Sequence, residues 1–251
     1  MGNRFKAALA QGKVQLGMWS MMCNPMVAEM LAQSSFDWVL FDAEHAPAEI
    51  ADLMPLLQAA GNGTASAAVR PPWNDMVLIK RALDIGAQTL ILPFVQNGEE
   101  ARQAVSSVRY PPHGRRGVAG STRASRYGRD AGYLAGASND ICLIVQAETA
   151  ESLSRIEEIA SVEGIDGVFI GPSDLSASMG HLGKPGSDEV QTAIREAAQK
   201  IRAAGKAPGI LAGSVDDAKR YIEWGFLFVA CAVDLKLLTV TVDKLYADMT
   251  A

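Results

Sequence analysis

The chain has 251 residues, of which 49% are hydrophobic and 20% charged, and its formal net charge is −5. This length provides one substantial core and is typical of an eight-stranded α/β barrel, so we expect one domain over residues 1–251. Because the sequence has no basic patch, no bilayer-length apolar stretch and no secretory leader, it favours a cytoplasmic protein that binds neither nucleic acid nor membranes.

Short apolar runs alternate with longer amphipathic segments along the chain, which indicates repeated strand–helix units. The predicted strands are, in chain order, residues 16–20, 38–42, 65–70, 89–93, 141–146, 167–170, 207–210 and 226–230. Helices are predicted most clearly at residues 48–60, 76–85, 188–204 and 216–224. Eight such units can close into a (β/α)₈ TIM barrel. An open doubly wound sheet is the alternative, but no glycine-rich phosphate-binding motif follows a predicted strand.

The longest irregular stretch is residues 109–128, which is rich in glycine and arginine and contains a Pro-Pro pair. Loops of this length in a compact domain are usually functional or disordered. We expect this one to be a lid over the open end of the barrel. Within and just beyond this stretch, residues 114–129 could choose among aldehydes because their arginines could meet an acidic tail, and solvated surface charge is the alternative.

Polar side chains collect just past the C-terminal ends of the predicted strands, which is the end that carries the active sites of such barrels. They are Asp42, Glu44 and His45 after the second strand, Arg70 at the end of the third, Gln146 and Glu148 at the fifth, and Gly171, Pro172, Ser173 and Asp174 after the sixth. The strand interiors are almost wholly apolar, as a packed barrel requires.

Glu148 and Asp174 are the first candidates for a metal site, because carboxylates at the tips of adjacent strands can converge on one cation. Two carboxylates with water molecules suit Mg²⁺ or Mn²⁺ and leave positions for a substrate. The alternatives are a helix cap for Asp174 and a solvated charge for Glu148. The backbone N–H groups of Ser173 and Asp174 would also suit a substrate carboxylate.

Arg70 lies before two prolines at a strand end, where its permanent charge could hold a developing enolate oxygen. A structural ion pair is the alternative. His45 lies three residues after Asp42, and pairing with that carboxylate would suit it as a general base or proton shuttle. A lone histidine is more often structural. Asp84 is a further candidate that would support the pair, either from the same chain or from a neighbouring subunit. Since no predicted strand contains a lysine, a metal-assisted reaction is favoured over an imine.

Several longer motifs occur in one order: WVLFDAEHAP at 38–47, VRPPWND at 69–75, RYPPHGRRGV at 109–118, QAET at 146–149 and GPSDLSASMG at 171–180. In these motifs, and over nearly its whole length, the chain resembles the class II pyruvate aldolases typified by 4-hydroxy-2-oxoheptanedioate aldolase. The citrate lyase β subunit is a more distant relative of that family. The resemblance implies cleavage of 4-hydroxy-2-oxo acids to pyruvate, or hydroxypyruvate, and an aldehyde.

The resemblance also implies the roles of particular residues. Glu148 and Asp174 would bind Mg²⁺, Mn²⁺ or Co²⁺, with Gln146 nearby and Arg70 bridging to pyruvate. His45 and Asp42 would form the acid/base dyad, the backbone of residues 171–174 would meet the pyruvate carboxylate, and Trp19 and Leu211 would line the pocket. The implied assembly is a homohexamer, a trimer of dimers that exchange their last helix at residues 232–249.

Two other functions remain open from the sequence. One is a citrate-lyase-like acyl-thioester lyase, which would need a site for a long nucleotide carrier, and the sequence has no mark of such a site. The other is a non-catalytic barrel that senses an oxo acid. The presence of both carboxylates together with Arg70 and His45 argues against lost chemistry.

Overall fold

The computed structural model describes residues 2–251, and its eight parallel strands form a closed barrel in chain order. The strands are β1 Gln15–Ser20, β2 Trp38–Asp42, β3 Ser66–Arg70, β4 Thr89–Leu92, β5 Cys142–Ala147, β6 Gly167–Ile170, β7 Ala207–Leu211 and β8 Phe228–Val233. The predicted (β/α)₈ barrel is confirmed, and all eight predicted strands are present with small shifts at their ends. An open doubly wound sheet is excluded because β1 pairs with β8.

Twelve helices lie between and around the strands of the described chain. They are α1 Arg4–Ala10, α2 Pro25–Ala32, α3 Ile50–Ala60, α4 Met76–Asp84, α5 Gly98–Val108, α6 Tyr133–Asp140, α7 Ala150–Ser154, α8 Ile156–Ala160, α9 Pro172–Ser178, α10 Asp188–Ala203, α11 Val215–Glu223 and α12 Asp234–Thr250. Asparagine, aspartate, serine and threonine side chains cap several of the helix starts, where backbone N–H groups lack helical partners.

The protein has two hydrophobic cores, as the barrel architecture requires. The larger core lies between the barrel wall and the surrounding helices. The smaller core fills the barrel interior, where Phe169 of β6 and Phe228 of β8 have ring centroids 6.0 Å apart. Helix α1 closes the N-terminal end of the interior, because its Phe5 packs against Trp38 and Phe228. Access to the barrel interior is therefore from the C-terminal end.

The stretch at residues 109–128 is not a lid over the barrel mouth of its own chain. Helix α5 returns the chain to the N-terminal end of the barrel, so the stretch begins there. It stays there because Arg123 Nη1 donates to the Ile85 carbonyl at 2.8 Å and the Ala124 N–H donates to the Asp84 carbonyl at 3.2 Å. The prediction of a lid was wrong because it considered loop length but not the direction of the preceding helix.

Helix α12 is apolar yet almost entirely exposed. Asp234 is its only buried residue, and its carboxylate accepts hydrogen bonds from Ser20 Oγ at 2.7 Å and from the Met21 N–H at 2.9 Å. The large apolar side chains exposed on this helix are Leu235, Leu237, Leu238, Val240, Val242, Leu245, Tyr246 and Met249. Among the described residues, no helix combines the length and the hydropathy needed to cross a bilayer.

Candidate active site

A buried ion pair joins the ends of β2 and β3. These strands are in register so that Asp42 lies opposite Arg70. Arg70 donates from Nε to Asp42 Oδ1 at 2.8 Å and from Nη2 to Oδ2 at 2.7 Å, and its Nη1 lies 2.8 Å from Glu44 Oε2. The Trp19 ring lies beside the same guanidinium, 4.6 Å from its carbon to the ring centroid. Arg70 is thus fixed by two-point hydrogen bonding, a second carboxylate and an aromatic face.

The Asp42 carboxylate pairs with Arg70 rather than with His45. Burial alone would raise the pKa of Asp42, but the hydrogen bonds and charge of Arg70 hold that pKa below its ordinary value. Its Oδ1 also accepts the Glu44 N–H at 3.0 Å. The predicted Asp42–His45 contact is therefore replaced by an Asp42–Arg70 pair, because both carboxylate oxygens are already occupied.

His45 lies at the rim of the barrel mouth with 57% of its side chain exposed. Its nearest carboxylate is Glu44, with 3.9 Å between His45 Nε2 and Glu44 Oε2. At that distance the contact is too long for a hydrogen bond. The imidazole is free to meet a substrate or a water molecule in the mouth.

Glu148 is held in a narrow space just after β5. Its Oε1 accepts the Phe94 N–H at 2.7 Å, and its Oε2 accepts a hydrogen bond from Gln146 Nε2. Gly171 leaves room for this carboxylate, because a Cβ atom at that position would lie 2.6 Å from Glu148 Oε2. Burial, with like charge from Glu44 and Asp174, raises the pKa of Glu148 to about 7 despite the hydrogen bonds from Gln146 and Phe94.

Glu44 belongs to the same group of carboxylates. Burial raises its pKa to about 7, and the charges of Asp42 and Asp174 act in the same direction against the opposing charge of Arg70. Glu44, Glu148 and Asp174 therefore influence one another electrostatically at the C-terminal end of the barrel. Concentrated negative charge of this kind is costly unless a proton or a cation compensates it.

The residues at this end fit a hard divalent cation. Glu148 and Asp174 supply carboxylate oxygens, the ligands that Mg²⁺ and Mn²⁺ prefer. Gln146 Oε1 is a buried acceptor without a hydrogen-bond partner in the described chain, which suits a cation or a water molecule bound to one. No group of three or more His, Cys, Asp and Glu side chains within residues 2–251 forms a complete cage, so water or substrate would complete the coordination.

The remaining predicted residues divide between the two ends of the barrel. Pro172, Ser173 and Asp174 form the first turn of α9, with Ser173 and Asp174 exposed, and Leu211 ends β7 half-buried. Asp84 instead ends α4 at the N-terminal end, where it accepts a hydrogen bond from the fully buried Arg116 at 2.9 Å. Within one chain Asp84 therefore does not join the His45 site, and a role there would require a neighbouring subunit.

Comparison with known proteins places this geometry in a family. Residues 15–240 match the HpcH/HpaI aldolase/citrate lyase family. The chain belongs to that family. It is 51% identical over 251 residues to a 4-hydroxy-2-oxo-heptane-1,7-dioate aldolase of Klebsiella pneumoniae, covering 100% of this chain and 95% of the relative. It is also 51% identical over 236 residues to a pyruvate aldolase of Rhizobium etli, covering 94% of this chain and 93% of that protein.

A solved structure of the HpcH/HpaI aldolase/citrate lyase family gives the same result at the level of the fold. The Burkholderia cenocepacia member has a TM-score of 0.96 to this chain at 34% identity, covering 99% of this chain and 100% of the other. The predicted family is therefore confirmed, and so is the prediction of an aldolase. The roles of individual site residues stay predictions.

Two features near this aldolase site were not predicted from the sequence. The sequence places Glu44 among the polar residues after the second strand but indicates no role for it, although its position two residues after Asp42 places both carboxylates within reach of Arg70. The apolar side chain of Phe94 gives no signal of a polar contact, yet its N–H group donates to Glu148. Its position two residues after the end of β4 was the available signal.

Proposed function

We propose that this aldolase cleaves 4-hydroxy-2-oxo acids to pyruvate, or hydroxypyruvate, and an aldehyde, and also catalyses the reverse addition. The observation that carries the proposal is the cluster of Glu148, Gln146 and Asp174 at the barrel mouth with the fixed guanidinium of Arg70 at the same end. The named activities of the Klebsiella pneumoniae and Rhizobium etli relatives, each 51% identical to this chain, support the same reaction.

Glu148 and Asp174 would hold a divalent metal, Mg²⁺, Mn²⁺ or Co²⁺, and Gln146 would lie beside it. When bound, such a cation supplies Lewis acidity that makes the protons next to a 2-oxo group removable near neutral pH. The raised pKa of Glu148 supports this assignment, because a buried carboxylate of this kind gains most from a compensating cation.

The protein's own groups would hold the substrate and move the proton. Arg70 has N–H groups beyond those given to Asp42 and Glu44, and they would stabilise the enolate oxygen. Trp19 would keep the guanidinium in place. His45, exposed at the rim, would transfer the proton directly or through a water molecule.

The remaining substrate contacts are proposed on the opposite side of the mouth. The backbone of Gly171, Pro172, Ser173 and Asp174 would meet the pyruvate carboxylate, and Leu211 would line the pocket.

We also propose a cytoplasmic homohexamer, a trimer of dimers that exchange α12. The exposed apolar surface of α12 supports an exchange, because a helix that is apolar on several sides is stable in water only when another surface covers it. In such an assembly Asp84 of a neighbouring subunit would support His45.

The test is cleavage of a 4-hydroxy-2-oxo acid, followed as pyruvate release by chelator-treated protein with and without added Mn²⁺. We expect activity only with the metal, and we expect Glu148→Gln to abolish the response to it. Full activity in metal-free protein would contradict the assignment of Glu148 and Asp174. Absence of activity with every metal, together with turnover of an acyl thioester, would favour the thioester lyase.

A further inference from the structure

Two large aromatic side chains stack on each other at the barrel mouth. Trp73 and Phe94 have ring centroids 5.2 Å apart and an interplanar angle of 28°. Trp73 is 50% exposed and Phe94 is 41% exposed, and neither belongs to the two hydrophobic cores. Apolar rings that stay in water beside an active site need a reason beyond the stability of the fold.

The pair lies next to the groups that would hold pyruvate. Trp73 follows Arg70 by three residues, after two prolines that stiffen the connection. Phe94 follows the end of β4 by two residues, and its N–H group donates to Glu148 Oε1 at 2.7 Å. The stacked rings are thus tied closely to the site, Trp73 to Arg70 through the chain and Phe94 to Glu148 through its N–H group.

The backbone at Phe94 is strained in a way that maintains this arrangement. Its φ is 56°, in the left-handed region that a bulky residue other than glycine rarely adopts. Such conformations cost about 1–3 kcal/mol and persist mainly where the surroundings enforce them, often at functional sites. Here the conformation directs the Phe94 N–H to Glu148 and lets the ring stack on Trp73.

We propose that Trp73 and Phe94 form a platform for the aldehyde half of the substrate and select aldehydes with an aromatic ring. The inference rests on the proposed aldolase function and adds the chemical class of the acceptor. The free face of the stacked pair receives the ring of the aldehyde while its carbonyl carbon points towards the pyruvate site. Aromatic stacking of this kind adds to the benefit of removing apolar surface from water.

The test compares pyruvate addition to benzaldehyde and to acetaldehyde as a ratio of kcat/KM values. Trp73→Ala lowers this ratio about tenfold, which corresponds to about 1.4 kcal/mol of lost binding in the transition state. Phe94→Leu, which keeps an apolar side chain, lowers it in the same direction. Trp224→Ala is the matched control, because it makes the same change at a tryptophan that packs on Tyr221 at the end of α11, at the N-terminal end of the barrel.

The outcomes separate this inference from the proposed function. If Trp73→Ala and Phe94→Leu keep the benzaldehyde-to-acetaldehyde ratio of the unmodified protein within about twofold while pyruvate addition proceeds, the platform is wrong and the aldolase function stands. If the ratio falls together with a change in molar mass by light scattering, the rings form a contact between copies of the chain and the platform is overturned. If the unmodified protein neither adds pyruvate to either aldehyde nor exchanges its methyl protons, the proposed function itself fails.

Discussion

The substitution Gly171→Ala tests the narrow approach between the start of α9 and Glu148. A methyl group at this position would lie 2.6 Å from Glu148 Oε2 and 2.8 Å from Glu148 Cβ. Ordinary contact begins near 3.4 Å, so the oxygen would have to retreat by about 0.8 Å. It has little freedom to do so, because Phe94 and Gln146 hold its two oxygens. Overpacking of this kind costs about 1–3 kcal/mol of stability.

The larger effect is expected on activity. A displacement near 1 Å at a catalytic group can cost about 100-fold in rate, so kcat/KM for pyruvate release should fall by about that factor, with a higher Mn²⁺ requirement. Gly136→Ala is the matched control, because a Cβ atom there meets nothing within 4 Å and the residue lies in α6. Steady-state kinetics at several Mn²⁺ concentrations would measure both variants. Unmodified kinetics and metal response in Gly171→Ala would refute the role given to this approach.

Three further predictions concern pH, a buried cation and assembly. Because the pKa of Glu148 is about 7 in the folded protein against an ordinary 4.5, the folded state keeps a proton that the unfolded chain has lost. The contribution of Glu148 to the free energy of unfolding of metal-free protein should therefore fall by on the order of 3 kcal/mol as pH rises from about 5 to 8, and Glu148→Gln should make the measured pH dependence shallower in urea titrations. An unchanged pH dependence would contradict the shift. Asp84→Ala should lower the free energy of unfolding by about 3–5 kcal/mol, because it leaves Arg116 buried without its carboxylate. Adding Arg116→Met should restore most of that free energy in the same titrations, and no recovery would contradict this cause. Leu238→Glu with Val242→Glu on α12 should lower the molar mass measured by light scattering, and an unaltered mass would exclude this face from the assembly.

Much of the fold follows from local patterns in the sequence. Apolar runs of strand length alternate with amphipathic helices, so the eight strands and their order could be predicted. The bounds were harder: the last strand was predicted at 226–230 and is Phe228–Val233, because its end is set by pairing with β1 and β7. The polar residues after strands were found for the same reason, since a parallel barrel brings all C-terminal strand ends together.

The contacts inside the site could not be predicted in the same way. Nearness along the chain suggested that Asp42 would pair with His45, but strand register places Arg70 opposite Asp42. Register is a property of two strands 28 residues apart and leaves no local signal. The lid prediction failed for a similar reason, because the direction of α5 decides at which end residues 109–128 lie.

The most direct test of the account is exchange of the pyruvate methyl protons with deuterium in D₂O, followed by proton NMR without any aldehyde. This measurement isolates the removal of the proton from the choice of acceptor. The account predicts no exchange in metal-free protein. It predicts exchange after addition of Mg²⁺, or of Mn²⁺ at a concentration low enough to leave the NMR signals sharp, and loss of that exchange in Glu148→Gln. Exchange at full rate in metal-free protein, or in Glu148→Gln with metal, would contradict the central role given to this carboxylate.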